Sequence, residues 1–135
     1  MDDVALAQAA DEAAGAISRR WPKNPRVALI LGTGLGGLAD SIAADEVIDY
    51  DQIPHFPRST AIGHQGRLVC GSWQQLPVIA MQGRCHLYEG YTWQQVTLPV
   101  RILAALGIQS LLITNASGGL NPKFQAGDVT QLAQH

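Results

Sequence analysis

The chain has 135 residues, a length that suits one compact domain. Of these residues 47% are hydrophobic and only 15% are charged. The low charge content favours homo-oligomerisation or a missing partner segment. Its net charge of −2 provides no basic field for nucleic acid, and no apolar run approaches the roughly 18 residues of a membrane span. The acidic start is unlike a signal peptide, and Cys70 and Cys85 form no CxxC motif, so we expect a cytoplasmic protein in a reducing compartment that binds no membrane.

Helical and strand patterns alternate along the chain. The predicted elements are a helix over 3–19, a strand over 26–31, a short helix over 36–44, a strand over 46–50, a long loop over 51–65, strands over 66–70 and 77–81, a helix over 92–106, and strands over 110–114 and 128–134. The face of the first helix is predicted from the spacing of Val4, Ala7, Ala10, Ala14 and Ile17. Such alternation favours an α/β fold, with functional loops at the carboxyl ends of strands.

A glycine-rich loop follows the first predicted strand directly. It reads Gly32-Thr33-Gly34-Leu35-Gly36-Gly37, and its glycines let the backbone turn and point N–H groups at an anion, to which Thr33 adds a hydroxyl. The spacing also matches a dinucleotide fingerprint, with Asp49 or Asp51 at about the distance of a ribose-binding acid. A phosphate loop, a nicotinamide-dependent oxidoreductase and a plain packing turn therefore all stay open here.

A second segment, residues 83–91, gathers several ionisable side chains just after a strand-like run. Arg84 offers a planar fork that suits two phosphate oxygens. His86 and Tyr88 share the parity of Arg84 in an extended chain, whereas Cys85 points the other way, which disfavours a Cys85–His86 nucleophilic pair. Glu89 could orient Arg84 or His86. The alternative is a solvated loop that holds a salt bridge.

Two further loops could approach an anion. His64 stands between glycines in Gly63-His64-Gln65-Gly66, and the 115–119 segment, Asn115-Ala116-Ser117-Gly118-Gly119, could cradle an oxyanion with its backbone N–H groups. Both are also compatible with ordinary turns. The histidines lack the paired spacing of metal ligands, and no GxSxG elbow is present, so we expect neither a metal site nor a serine triad.

Together and in this order, four segments resemble the trimeric purine nucleoside phosphorylases: residues 32–36, 63–68, 83–91 and 114–120. The resemblance implies a mixed central sheet flanked by helices and the phosphorolysis of purine nucleosides to free base and ribose 1-phosphate. It also implies a homotrimer that needs no cofactor, because inorganic phosphate is a co-substrate. The related methylthioadenosine phosphorylases often carry threonine at the position of Thr33, and they remain an alternative.

The resemblance also assigns roles to individual residues. It implies phosphate contacts at Thr33, His64, Arg84, Cys85, His86 and Ala116, a ribose contact at Tyr88, and support from behind by Glu89 and Asn115. Family members are about twice as long, and their purine-contacting residues lie in the C-terminal half. We therefore expect residues 1–135 to be the N-terminal part of a single domain, supplying the phosphate and ribose side and inactive alone. A non-catalytic anion-binding fragment is a further alternative.

Overall fold

The computed structural model describes residues 1–58 and 66–133. Its regular elements are α1 (Asp3–Arg20), β1 (Val27–Leu31), β2 (Ala43–Asp49), β3 (Arg67–Trp73), β4 (Leu76–Gln82), α2 (Trp93–Ala105) and β5 (Ser110–Ile113). Short 3₁₀ turns occur at Gly36–Ser41, Tyr50–Gln52 and Leu87–Glu89. Within these described ranges, no helix is both long enough and apolar enough to cross a membrane.

The strands form one five-stranded sheet in the order β2-β3-β4-β1-β5. β2, β3 and β4 pair antiparallel, whereas β1 pairs parallel with β4 on one side and with β5 on the other. The predicted α/β fold with a mixed sheet is therefore confirmed. Because β4, β1 and β5 run in the same direction, the loops that follow these three strands meet at one edge of the sheet.

Alternate residues of each central strand face two different hydrophobic cores, one on each side of the sheet. In β1, Ala28 and Ile30 face the core that contains both long helices, while Leu29 and Leu31 face a smaller core beside the Gly36–Ser41 turn. A strand that is buried on both faces reads as a continuous apolar run, which explains the sequence of β1. The sheet therefore holds the carboxyl end of β1 firmly from both sides.

Both long helices begin at a capping side chain. The Asp2 side chain accepts a hydrogen bond from the backbone N–H of Ala5, and Thr92 with Gln95 forms a capping box. Gly107, with φ at 90°, closes α2 while the N–H of Ile108 reaches the carbonyl of Leu103, as in a Schellman motif. The two helices agree with the predicted ranges, 3–19 and 92–106, to within one residue at each end.

The predicted face of α1 needs correction. Val4 is 78% exposed and Ala7 is also exposed. The buried stripe instead contains Leu6, Ala9, Ala10, Ala13, Ala14 and Ile17. An alanine-rich helix offers several apolar stripes of similar strength, so packing against the sheet and α2, rather than periodicity, decides which face is buried.

Three other segments differ from prediction. The short helix expected over 36–44 is a 3₁₀ turn, Gly36–Ser41, and β2 already begins at Ala43; two successive glycines disfavour an α-helix there. The strand expected over 128–134 is absent from its described part, 128–133, where Val129 is 96% exposed. The loop predicted over 51–65 begins with a 3₁₀ turn, and Ile53 and Phe56 anchor it in the core; residues 59–65 of that loop lie outside the described residues.

Candidate functional site

Three segments converge at the carboxyl edge of the parallel strands. The glycine loop follows β1, the 83–91 segment follows β4, and Thr114 with the 115–119 segment follows β5. β1 lies between the other two strands, so its loop is the centre of the group. This is the point of the sheet at which α/β proteins commonly bind ligands.

The glycine loop and the end of β5 are in close backbone contact. The N–H of Gly32 donates to the Thr114 hydroxyl over 2.8 Å. A β-carbon placed on Gly32 would lie 2.6 Å from the Thr114 carbonyl oxygen and 2.9 Å from the α-carbon of Asn115. Glycine is therefore required at position 32 by the approach of a neighbouring backbone, and no positive φ is involved.

Arg84 is attached to the same point from the other side. Its Nη1 donates to the carbonyl of Thr114 over 3.2 Å, and its Nε lies 3.4 Å from Nε2 of His86. Among the residues that the structure describes, these two contacts leave three of its five guanidinium N–H donors without a partner. A fixed and incompletely used guanidinium is well suited to bind an oxyanion at two oxygens.

His86 is held by a carboxylate and an aromatic ring. Its Nδ1 lies 3.0 Å from Oε1 of Glu89, and its ring stacks on Tyr88 with centroids 4.7 Å apart. Because Arg84 donates to Nε2, that nitrogen accepts, and Nδ1 carries the proton towards Glu89. The other carboxylate oxygen of Glu89, Oε2, is buried and has no hydrogen-bond partner within the described ranges. The predicted orienting role of Glu89 thus has a geometric basis through His86.

Cys85 points away from this cluster. Its thiol donates to the carbonyl of Arg58 over 3.4 Å, which agrees with the alternation expected of an extended segment. Burial raises the pKa of the Cys85 thiol above its usual value; a hydrogen bond with Tyr91 lowers it, and Glu89 raises it further. A thiol of raised pKa is a poor nucleophile, because the thiolate is the reactive form.

A buried tyrosine fixes the start of the 83–91 segment. The Tyr50 hydroxyl donates a short hydrogen bond to the carbonyl of Gly83, and the Tyr50 ring packs on Phe56 with centroids 4.4 Å apart. Burial raises the pKa of Tyr50, so its hydroxyl keeps the proton that it donates. Tyr50 therefore fixes the backbone at the point where it leaves β4, and this in turn fixes the position of the Arg84 backbone.

A second link runs from the glycine loop to β3. The amide Nε2 of Gln82 donates to the carbonyl of Gly36 over 3.0 Å, and Arg67 Nε donates to Gln82 Oε1 over 2.6 Å.

Beside Arg84 and Cys85, a cavity of about 150 Å³ lies between the sheet and α2, with mainly apolar walls that include Ile30 and Val96. Apolar walls strengthen the attraction between a guanidinium and an anion, because they lower the local dielectric constant.

The other predicted residues lie around this cluster. The side chain of Thr33 is exposed and, within the described ranges, forms no hydrogen bond; Asn115 and Ala116 are exposed directly after Thr114. Tyr88 is 83% exposed. His64 lies outside the described residues. Among the residues that the structure describes, no group of three or more His, Cys, Asp or Glu side chains could hold a metal ion.

The strand order does not support dinucleotide binding. Asp49 ends β2, which is separated from β1 by β3 and β4, a distance of three strand spacings or roughly 14 Å. In the dinucleotide fold the ribose-binding acid follows the strand next to the glycine loop, and a long helix begins at that loop. Here the loop leads into a six-residue 3₁₀ turn.

The sequence profile of the phosphorylase superfamily matches residues 26–135. The chain belongs to the phosphorylase superfamily. The match begins just before β1 and includes all three converging segments. The predicted resemblance to this group of enzymes is therefore confirmed.

Individual relatives in the superfamily are purine nucleoside phosphorylases. The chain is 49% identical over 125 residues to purine nucleoside phosphorylase 1 of Bacillus subtilis, covering 93% of this chain and 46% of that protein. It is 50% identical over 111 residues to the Rattus norvegicus enzyme, covering 82% of this chain and 38% of that one. The chain thus spans less than half the length of these relatives.

A solved structure agrees with the fold. Isoform 2 of purine nucleoside phosphorylase from Schistosoma mansoni, in complex with cytosine and ribose-1-phosphate, superposes with a TM-score of 0.83 at 45% identity. The alignment covers 90% of this chain and 42% of that protein. The described residues therefore share the topology of the corresponding part of that structure.

Three positioning residues are not predicted by the sequence. In the predicted pattern Thr114 ends the strand over 110–114 and begins the 114–120 segment, Gln82 lies directly after the strand over 77–81, and Tyr50 ends the strand over 46–50; none is assigned a positioning role. Their hydrogen bonds connect residues 33 to 84 positions apart in the chain. The one local signal for a positioning role is that Thr114 and Gln82 are polar residues at the ends of apolar strands, beside predicted ligand loops.

Proposed function

We propose that the protein containing this chain catalyses phosphorolysis of purine nucleosides, giving free base and ribose 1-phosphate. The observation that carries the proposal is the attachment of Arg84 to His86 and to the Thr114 carbonyl, beside the glycine loop. The matching relatives are named as purine nucleoside phosphorylases, which favours this activity over that of the methylthioadenosine enzymes.

In this proposal the chain supplies the phosphate and ribose side of the site. Arg84 and His86 bind the anion together with the Thr33 hydroxyl, His64 and backbone N–H groups at Cys85 and Ala116. Tyr88, stacked on His86 and otherwise exposed, packs on the ribose. Glu89 and Asn115 support these contacts from behind.

The chemistry needs no nucleophilic side chain, because phosphate itself attacks the anomeric carbon. Cleavage of the N-glycosidic bond builds positive oxocarbenium character on the sugar. A phosphate held directly beneath that carbon both stabilises this charge and stands ready to react. Neither a metal nor an organic cofactor enters the proposal.

The first test measures phosphate binding to the 135-residue chain by calorimetry. Replacing Arg84 with Ala should weaken binding by about 1.5–3 kcal/mol, the range for a hydrogen bond to a charged group. Arg101→Ala is the matched control, because Arg101 is exposed on α2. Equal phosphate affinity in the Arg84 and Arg101 variants would show that the anion site is elsewhere.

The second test measures turnover. Residues 1–135 are joined to the remaining part of the Bacillus subtilis relative, and inosine or guanosine cleavage is followed with and without phosphate. We expect phosphate-dependent cleavage by this chimera, its loss with Arg84→Ala, and none by residues 1–135 alone. Cleavage that does not depend on phosphate would contradict the proposal.

We also propose that the protein is a cytoplasmic homo-oligomer, a trimer by family resemblance. Its low charge content and the exposed apolar side chains of β5, Leu112 and Ile113, support an additional packed surface. Light scattering of the eluted chimera measures its mass, and a monomer would contradict this part of the proposal.

A further inference from the structure

One residue outside the proposed contact set joins two of the three converging loops. Thr114, half-buried at the end of β5, forms four hydrogen bonds with its side chain and backbone. Its hydroxyl accepts from the N–H of Gly32 over 2.8 Å and donates to the carbonyl of Ile30 over 3.1 Å. Its own backbone N–H also donates to the carbonyl of Ile30.

The hydroxyl is needed because of the backbone geometry around it. Gly32 is the first residue beyond β1, so its N–H lies past the regular ladder that pairs β1 with β5. A hydroxyl can accept one hydrogen bond and donate another at the same time. The Thr114 side chain therefore extends the contact between the two strands beyond their last pair, Ile30 with Ile113, and fixes the direction in which the glycine loop begins.

The carbonyl of the same residue fixes Arg84. It accepts from Arg84 Nη1 over 3.2 Å, while it lies within the space that a β-carbon on Gly32 would occupy. Any displacement of the Thr114 peptide would thus move both the loop and the guanidinium. The two groups that are proposed to bind phosphate are positioned by one residue.

We propose that Thr114 is a positioning residue for anion binding, acting through Gly32 and Arg84 without touching the anion. The inference rests on the proposed function, because the anion is the phosphate of that reaction. It extends the site to a residue whose role is to orient others. Serine should replace threonine here, since it keeps the hydroxyl, whereas valine keeps the shape and removes both side-chain hydrogen bonds.

The test compares Thr114→Val with Thr114→Ser in the 135-residue chain, using inorganic phosphate as the probe. Calorimetry should show roughly tenfold weaker binding for valine, because the released loop and guanidinium would then have to be ordered when phosphate binds. Binding by the serine variant should stay within about threefold of the parent, because serine keeps the hydroxyl. Amide exchange at Gly32 should quicken in the valine variant only. Thr97→Val is the matched control, because the Thr97 hydroxyl donates to a backbone carbonyl within α2.

The outcomes separate the two proposals. Weaker phosphate binding in Thr114→Val with rescue by serine supports the positioning role, and a purely structural role would not move phosphate affinity while the fold is intact. Parent-like affinity in Thr114→Val, together with a loss in Arg84→Ala, overturns the role of Thr114 and leaves the proposed function standing. If the parent chain binds no phosphate, both proposals fail together.

Discussion

Substituting Gly32 with alanine tests the close contact between the Gly32 and Thr114 backbones at the centre of the site. The new β-carbon would lie 2.6 Å from the Thr114 carbonyl oxygen, whereas ordinary contact begins at 3.4 Å. The ends of β1 and β5 must therefore separate by about 0.8 Å. Both atoms nearest to the new methyl belong to backbone, so a change of rotamer cannot relieve the overlap.

The expected cost follows from these distances. Overpacking of this kind costs about 1–3 kcal/mol. The separation would also stretch the 2.8 Å hydrogen bond from Gly32 to the Thr114 hydroxyl beyond normal length, which adds about 1 kcal/mol. We expect Gly32→Ala to lower the free energy of unfolding by about 2–4 kcal/mol in total.

Urea unfolding at 25 °C, followed by tryptophan fluorescence, measures this change. Gly37→Ala is the matched control, because a β-carbon on Gly37 meets nothing within 4 Å and its φ is not positive; its free energy of unfolding should change by less than about 0.5 kcal/mol. If the two variants unfold at the same urea concentration with the same slope, the close contact between Gly32 and Thr114 does not exist in solution.

Two further predictions concern buried groups. Tyr50→Phe should lower the free energy of unfolding by about 1–3 kcal/mol, because it leaves the Gly83 carbonyl unpaired; an unchanged urea midpoint would contradict the role of Tyr50 in fixing this segment. Burial raises the pKa of Cys70 from 9.0 to about 12, so the unfolded chain releases this proton first, and the contribution of Cys70 to stability, complete below pH 9, is lost as the pH rises towards 12. Cys70→Ala should flatten the decline in unfolding free energy between pH 9 and 11 by up to about 1.4 kcal/mol per pH unit, and parallel curves for parent and variant would refute this.

Local patterns predicted much of the fold because the physics that sets them is local. The run Val27–Leu31 and the capping box at Thr92 each depend on neighbours within a few residues. The face of α1 was wrong because its many alanines leave the buried side to be chosen by the partner surface. The prediction of a strand over 128–134 was wrong for the described part, 128–133. The alternating pattern there suits a strand, but no other described strand pairs with these residues.

The residues of the site also differ in whether their contacts could be predicted from the sequence. Arg84, His86, Tyr88 and Glu89 lie within six residues of each other, and their contacts follow from an extended chain that turns at Leu87–Glu89. Thr114 and Tyr50 could not be found from sequence, since their hydrogen bonds span 82 and 33 residues. Such contacts depend on strand order, which separates neighbours in the chain and brings distant loops together.

The position of β1 between two parallel neighbours explains why the anion-binding groups can be precise. The glycine loop alone offers N–H groups on a flexible backbone, which would lose much of its conformational freedom on binding. Contact with Thr114 on the β5 side and with Gln82 on the β4 side restricts that backbone before any ligand arrives. Arg84 is restricted by the same Thr114 and by His86, which Glu89 holds in one tautomer. A phosphate entering this edge would therefore meet donors that are already oriented, so little of the binding free energy would be spent on ordering the protein.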